Sequence, residues 1–214
     1  MSSNEQVLAV RASVAKSILR IEQGFVPIGQ YSDLNQFFSP ADIVIGARDW
    51  LEHDENWMQL IPYAVVQKGM DVLSYTRTKK GGEAKLHDKV SCGFGGHINM
   101  FDITSQYFEK DECIDIESAV YAAAERELEE ELSDGLDDPT IRGFIIDTTN
   151  PVGRVHLGVL MTVTSHGDDG SLDKGIKLNG YKTVEEMLED ADTEAWSKIA
   201  LRAIQSNFEF EFST

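Results

Sequence analysis

The order of predicted elements along the chain indicates a mixed α/β (α+β) fold, in which helices cover both faces of a mixed sheet. Two pairs of strand-like segments carry this prediction: LIPYAVVQ at 60–67 with MDVLSYTRT at 70–78, and IRGFIID at 141–147 with VHLGVLMTV at 155–163. A helical pattern lies between the pairs, and one or two amphipathic helices follow them. A chain of 214 residues is long enough to bury a large core without an external scaffold.

Charge and cysteine content narrow the classes of function. The chain has 19 Lys and Arg against 37 Asp and Glu, a net charge of −18, which argues against binding of nucleic acid through its phosphates and against anionic membrane surfaces. Two cysteines, Cys92 and Cys113, form no CxxC motif. The apolar run 7–10 is stopped by Arg11, and no 18-residue apolar segment follows. We expect a cytoplasmic protein.

The chain divides near residue 55. Residues 1–55 alternate short apolar runs with polar stretches and are predicted to form an N-terminal extension that packs on the main domain, residues 56–214. In the main domain, 60–67 and 70–78 are predicted to form a hairpin, and SCGFGGHI at 91–98 a strand that ends in glycines. HGDDGSLDKG at 166–175 is a predicted loop, and Thr183 with Glu186 forms a capping box.

A local cluster of basic residues follows the hairpin. Five of the 19 basic residues fall within 13 positions: Arg77, Lys79, Lys80, Lys85 and Lys89. In a protein of charge −18, such a cluster suggests contact with an anionic ligand. A solvated loop kept soluble by lysines explains it equally well.

The helix after this region has carboxylates where a helix usually has apolar residues. It is predicted to start at Asp115 or Ser118 and to end at Gly135. At about 100° per residue, the apolar stripe of Ile116, Val120, Ala123 and Ala124 continues into Glu127, Glu130 and Glu131, whereas Glu125 and Glu129 lie on the opposite side.

Three carboxylates on one side of a helix repel one another. At an effective dielectric constant of ~20, each ionised pair costs about 3 kcal/mol, so a positive group is expected among them. A hard divalent cation suits an all-oxygen cluster, and Mg²⁺ takes a few carboxylates with water and phosphate oxygens. The alternative is a solvated acidic surface.

The sequence Arg126-Glu127-Leu128-Glu129-Glu130-Glu131 resembles the core of the Nudix box, Gly-x5-Glu-x7-Arg-Glu-U-x-Glu-Glu-x-Gly-U, where U is a bulky apolar residue. The similarity covers roughly residues 50–205 and implies a Nudix-like α/β/α sandwich. Three departures stand out. If Gly96 is the box glycine, 16 residues are inserted before Arg126; the first glutamate is missing or displaced, near Ser118 or Glu117; and Ser133 replaces the second glycine.

The resemblance also implies roles for individual residues. Glu130 and Glu131 would bind Mg²⁺ or Mn²⁺ with the Gly96 carbonyl, and Glu127 would be a further ligand or would polarise the attacking water. Arg126 would orient the glutamates. Of the basic cluster, Arg77, Lys79, Lys85 and Lys89 would hold the terminal phosphate. The implied reaction is hydrolysis of a diphosphate in a nucleoside-diphosphate-X substrate, with no stable nucleic-acid or membrane partner; a homodimer is compatible with the sequence.

Two other functions stay open at this point. A Nudix-fold module that binds a nucleotide without cleaving it would explain the displaced first glutamate. The isomerase branch of the superfamily uses an active-site cysteine near a Gly-His pair, but Cys92 and His97 are five residues apart and would face opposite sides of a regular strand.

Overall fold

The structure, a computed structural model, describes residues 5–29, 33–78, 89–104, 114–132, 135–167, 170 and 175–211. In these ranges ten strands form one sheet: β1 (Gln6–Arg11), β2 (Gln23–Pro27), β3 (Ile43–Ala47), β4 (Trp57–Lys68), β5 (Asp71–Arg77), β6 (Val90–Ser91), β7 (Gly93–Phe94), β8 (Thr140–Asp147), β9 (His156–Thr164) and β10 (Ile176–Lys182). The helices are α1 (Ala12–Leu19), α2 (Arg48–Leu51), α3 (Met100–Thr104), α4 (Ile116–Glu131), α5 (Val184–Glu189) and α6 (Ala195–Glu211).

Strand β4 is the centre of the sheet. The strand order is β10-β5-β4-β9-β8-β2; β7 and β1 also pair with β4, β3 pairs with β1, and β6 pairs with β5. The β4–β9 pair is parallel and the other described pairs are antiparallel, so the sheet is mixed, as predicted. The expected hairpin is present, because β4 and β5 pair from Gln67↔Val72 to Lys68↔Asp71 around a turn in which Gly69 has a φ of +65°.

Two apolar cores lie on opposite faces of the sheet. One joins alternate residues of β4, β8 and β9 to the buried sides of α1 and α4. The other joins the intervening residues, such as Val65 and Ile145, to α5 and α6. Side chains of a strand alternate between faces, so one sheet serves both cores. The predicted α/β/α arrangement is therefore confirmed.

The first 55 residues supply strands to this sheet. β1 pairs with β3 on one edge and with the start of β4 on the other, and Val7 to Val10 are fully buried. β2 pairs with β8 at the opposite end of the sheet. The division of the chain at residue 55 stays a prediction. Among the described residues, the structure has no helix with the length and apolarity needed to cross a membrane.

Two local expectations need correction. Helix α4 ends at Glu131 rather than at Gly135, because the buried Leu132 leaves the helix in an extended conformation and takes the cap position. Gly135 lies beyond the helix with a φ of +110°. Strand β10, which pairs with β5, was not predicted; its irregular register near Gly180 and its polar residues hide the strand pattern. The capping box of Thr183 and Glu186 is present as predicted.

Candidate active site

Helix α4 positions the predicted acidic side chains. Its N-cap is Asp115, whose carboxylate accepts a hydrogen bond from the Ser118 backbone N–H at 3.1 Å. The predicted apolar stripe is buried: Ile116, Val120, Ala123 and Ala124. Glu127 and Glu131 are half-buried, whereas Glu129 and Glu130 are exposed. The helix therefore presents a graded acidic edge, with Glu127 nearest the core.

Arg126 places a positive charge at this edge. Its guanidinium makes two hydrogen bonds to the carboxylate of Asp102, at 2.8 and 2.9 Å, and one to the backbone carbonyl of His97 at 3.1 Å. Its Nη1 donates to Glu127 Oε1 at 2.7 Å and lies 3.6 Å from Glu130 Oε1. The hydrogen bonds to Asp102, and then those to Glu127, raise the pKa of Arg126, so it stays charged.

Asp102 was missed in the sequence, although its spacing is informative. It lies six residues after Gly96, which is the spacing of the box glycine and the first box glutamate. Twenty-three residues then separate Asp102 from Arg126 where the box has seven, so the 16 additional residues follow this acidic position. The two positions near which the first glutamate was expected to be missing or displaced make other contacts: Glu117 accepts a hydrogen bond from the Leu34 N–H, and Ser118 bonds to Asp115.

The glycine-rich segment approaches the helix at Gly96. A Cβ added to Gly96 would lie 2.7 Å from Cδ of Glu127, so a side chain at this position would force the Glu127 carboxylate to move. Gly95 lies against the carbonyl of Pro62 and Gly93 against the ring of Tyr63, and neither position has room for a side chain. Burial raises the pKa of Glu127, with Arg126 acting in the opposite direction.

Arg77, a member of the predicted basic cluster, lies within electrostatic reach of Glu131 on α4. Its Nη2 donates to the hydroxyl of Tyr75 at 3.0 Å. Burial acts to lower its pKa, but the electrostatic effects of several neighbouring groups, Tyr75 first and then Glu131, together raise it. Lys89 bonds instead to Asp192 at 3.1 Å, at the surface. Lys79, Lys80 and Lys85 lie outside the described residues.

Cys92 and His97 occupy separate surroundings. Cys92 is fully buried, its N–H donates to Ser197 Oγ at 3.0 Å, and burial raises the pKa of its thiol to about 12. The Nε2 atoms of His97 and His156 are 3.4 Å apart. Burial, then Arg48 and His156, lower the pKa of His97 to about 3, so this ring is neutral. A buried, protonated thiol is a poor nucleophile, which disfavours isomerase chemistry.

The acidic edge has donors of the right chemistry for a divalent cation. Glu127, Glu130 and Glu131 offer hard carboxylate oxygens, and the backbone at Gly96 adjoins Glu127. Within the described ranges, however, no three His, Cys, Asp or Glu side chains already converge as a ligand set. Arg126 holds Glu127 in this arrangement, so a cation would have to share that carboxylate with the guanidinium.

Parts of this chain are similar to known proteins. No family model matches it. Over 112 residues it is 38% identical to protein YmaB of Bacillus subtilis (strain 168), a match that covers 51% of this chain and only 50% of YmaB. The crystal structure of Tm1382, a candidate Nudix hydrolase, superposes with a TM-score of 0.75 at 26% identity, covering 95% of this chain and all of Tm1382. The MutT Nudix hydrolase of Burkholderia pseudomallei is more distant, with a TM-score of 0.44 and 18% identity over 68% of this chain and 96% of that one.

The likeness to Tm1382 extends over nearly the whole fold, and the helix with the Arg-Glu-Leu-Glu-Glu-Glu sequence lies against the glycine-rich segment at its centre. This likeness identifies the fold of the chain as that of the Nudix hydrolase superfamily.

Proposed function

We propose that this protein hydrolyses a diphosphate linkage in a nucleoside-diphosphate-X substrate, by attack of water at phosphorus, with Mg²⁺ or Mn²⁺ as cofactor. One observation carries the proposal. The carboxylate of Glu127 is held between the Gly96 backbone and Arg126, on the helix edge that also bears Glu130 and Glu131. A carboxylate that is half-buried beside two others is costly unless it serves a cation or a reaction.

The glutamates of α4 and Arg126 would have different roles in this reaction. Glu130 and Glu131, with the Gly96 carbonyl, would hold the divalent ion, and Glu127 would complete the ligands or accept the proton of the attacking water. A bound divalent ion neutralises phosphate oxygens and lowers the pKa of its water. Arg126, anchored by Asp102, fixes the direction of the Glu127 carboxylate. Burial raises the pKa of Glu127, which favours a role in proton transfer.

Arg77 supplies positive charge for the phosphate that is not attacked. Its guanidinium lies on β5, within electrostatic reach of Glu131, and planar guanidinium donors match phosphate oxygens. Lys79 and Lys85 stay candidates for the same role from the sequence alone. The salt bridge to Asp192 makes Lys89 a weaker candidate.

The alternative of a nucleotide-binding module without activity rested on a displaced first glutamate. Asp102 is an acidic residue at that spacing and pairs with Arg126, so this support is lost. Turnover decides between the two functions. A panel of nucleoside diphosphate derivatives should be incubated with and without Mg²⁺, and the phosphate-containing products measured. Metal-dependent release from at least one derivative is the expected result, whereas binding without release across the panel would favour the module.

A further inference from the structure

Tyr75 lies between Arg77, the candidate phosphate-binding residue, and the glycine-rich segment. Its side chain is fully buried, and its ring packs against Phe94 with centroids 4.8 Å apart. The hydroxyl donates to the carbonyl of Gly93 at 2.6 Å and accepts from Arg77 Nη2 at 3.0 Å. One phenol group therefore contacts both the residue predicted to bind phosphate and the strand that leads to Gly96.

These contacts leave Arg77 oriented and charged. The guanidinium carbon lies 5.5 Å from the centroid of the Tyr75 ring, so the ring and the hydroxyl together restrict the arginine side chain. Burial raises the pKa of Tyr75, so its hydroxyl is neutral and does not cancel the charge of Arg77. Among the described residues, no carboxylate lies within 4.0 Å of this guanidinium. Among the described residues, the hydrogen bond to Tyr75 uses one of the five N–H groups of the guanidinium.

We propose that Tyr75 is a positioning residue for substrate: it fixes the guanidinium of Arg77 to receive an oxygen of a diphosphate group, and it ties that contact to the Gly93–Gly96 segment. The inference rests on the proposed function, since it names how the same site holds its diphosphate. A preorganised arginine binds more tightly than a mobile one because less side-chain entropy is lost on binding.

The chain contains a matched control. Tyr63 is also buried beside Gly93, and its hydroxyl bonds to Glu194 and Ser197 on the side of α6. Tyr63→Phe removes a buried phenol hydroxyl near the same strand without touching Arg77. A loss that both variants share is therefore structural, and a loss confined to Tyr75→Phe points to the arginine.

The experiment measures binding of methylenediphosphonate, a diphosphate analogue that is not hydrolysed, to the full chain in Mg²⁺ by titration calorimetry. Tyr75→Phe should weaken binding about tenfold, the usual size for a hydrogen bond to a charged group, and Tyr63→Phe by less than twofold. In an Arg77→Met background, Tyr75→Phe should have almost no further effect, because coupled residues are non-additive. With a cleaved substrate, KM should rise while kcat stays nearly constant.

Three results would overturn the inference: wild-type affinity in Tyr75→Phe, an equal loss in the Arg77→Met background, or no binding of the analogue by the wild-type protein. Failure of the proposed function looks different. If no substrate is hydrolysed but analogue binding depends on Tyr75 through Arg77, the diphosphate site stands and the hydrolase assignment falls.

Discussion

Asp102 and Arg126 are joined by two hydrogen bonds, at 2.8 and 2.9 Å, across 24 positions of sequence. The Asp102 side chain is only 3% exposed, and its second oxygen also accepts the N–H of Asn99. This pair links α3 to α4 on either side of the additional residues. It directs the arginine towards Glu127, so the insertion leaves the relation between the glycine segment and the acidic helix intact.

Replacing Asp102 tests this link. Asp102→Asn keeps the shape but removes the charge that pairs with Arg126, so the free energy of unfolding should fall by about 2 kcal/mol and turnover should drop at least tenfold. Denaturant unfolding and turnover measure the two effects. Glu117→Gln is the control, because Glu117 bonds to the Leu34 N–H away from Arg126. A greater loss of turnover in Glu117→Gln than in Asp102→Asn would indicate that Glu117, and not Asp102, takes the place of the first box glutamate.

A side chain at Gly96 should displace Glu127. In Gly96→Ala, the new Cβ would lie 2.7 Å from Glu127 Cδ, so kcat should fall at least tenfold while the protein still folds. Gly69→Ala is the opposite case: its Cβ would meet nothing within 4 Å, but its φ of +65° is strained for alanine. Gly69→Ala should lose about 1 kcal/mol of stability and keep full turnover. Equal turnover in Gly96→Ala and the wild type would contradict the close contact at Gly96.

Divalent metal should stabilise the folded protein. Binding to the folded state alone adds about 2.7 kcal/mol when the ion is at a hundred times its dissociation constant, and EDTA should abolish both the rise in Tm and hydrolysis. Arg126 already supplies positive charge at the glutamates, so the ion should bind with a higher Kd than it would at carboxylates without an arginine partner. The control is Glu129→Gln, which should keep the wild-type shift in calorimetric melting. Full activity in chelator, or a Tm that Mg²⁺ does not move, would refute the cation site.

Alkaline pH should destabilise the fold through Cys92. Its pKa is raised by burial from 9.0 to about 12, so the unfolded chain loses the thiol proton first as pH rises. The contribution of the protonated Cys92 thiol to the free energy of unfolding is fully present below pH 9 and disappears as pH rises towards 12. One proton corresponds to a slope of about 1.4 kcal/mol per pH unit. The free energy of unfolding should therefore fall less steeply above pH 9 in Cys92→Ala, and identical slopes would show that the thiol ionises equally in both states.

The sequence predicted the parts that depend on local periodicity. The stripe from Ile116 to Ala124 repeats every three to four residues, and burial follows that repeat because a helix packs one side on the sheet. Asp102 was not predicted as a site residue because its partner Arg126 is 24 positions away in the sequence. In the sequence, only its spacing from Gly96 marks it. The end of α4 was predicted wrongly because the burial of Leu132 outweighed the preference for glycine at a helix cap. Such contacts are decided by tertiary packing, which a local pattern does not contain.

The most direct test of the account compares three glutamates of α4. Glu130→Gln and Glu131→Gln each remove a hard anionic ligand while keeping size, so each should cut turnover by roughly a hundredfold, comparable to losing one strong electrostatic contact to the transition state. Glu129→Gln removes the same charge from an exposed position on the opposite side. Turnover of the best substrate at saturating Mg²⁺ should stay near wild type in Glu129→Gln. An equal fall in all three variants, or wild-type turnover in Glu130→Gln and Glu131→Gln, would make the helix a solvated acidic surface and contradict the hydrolase assignment.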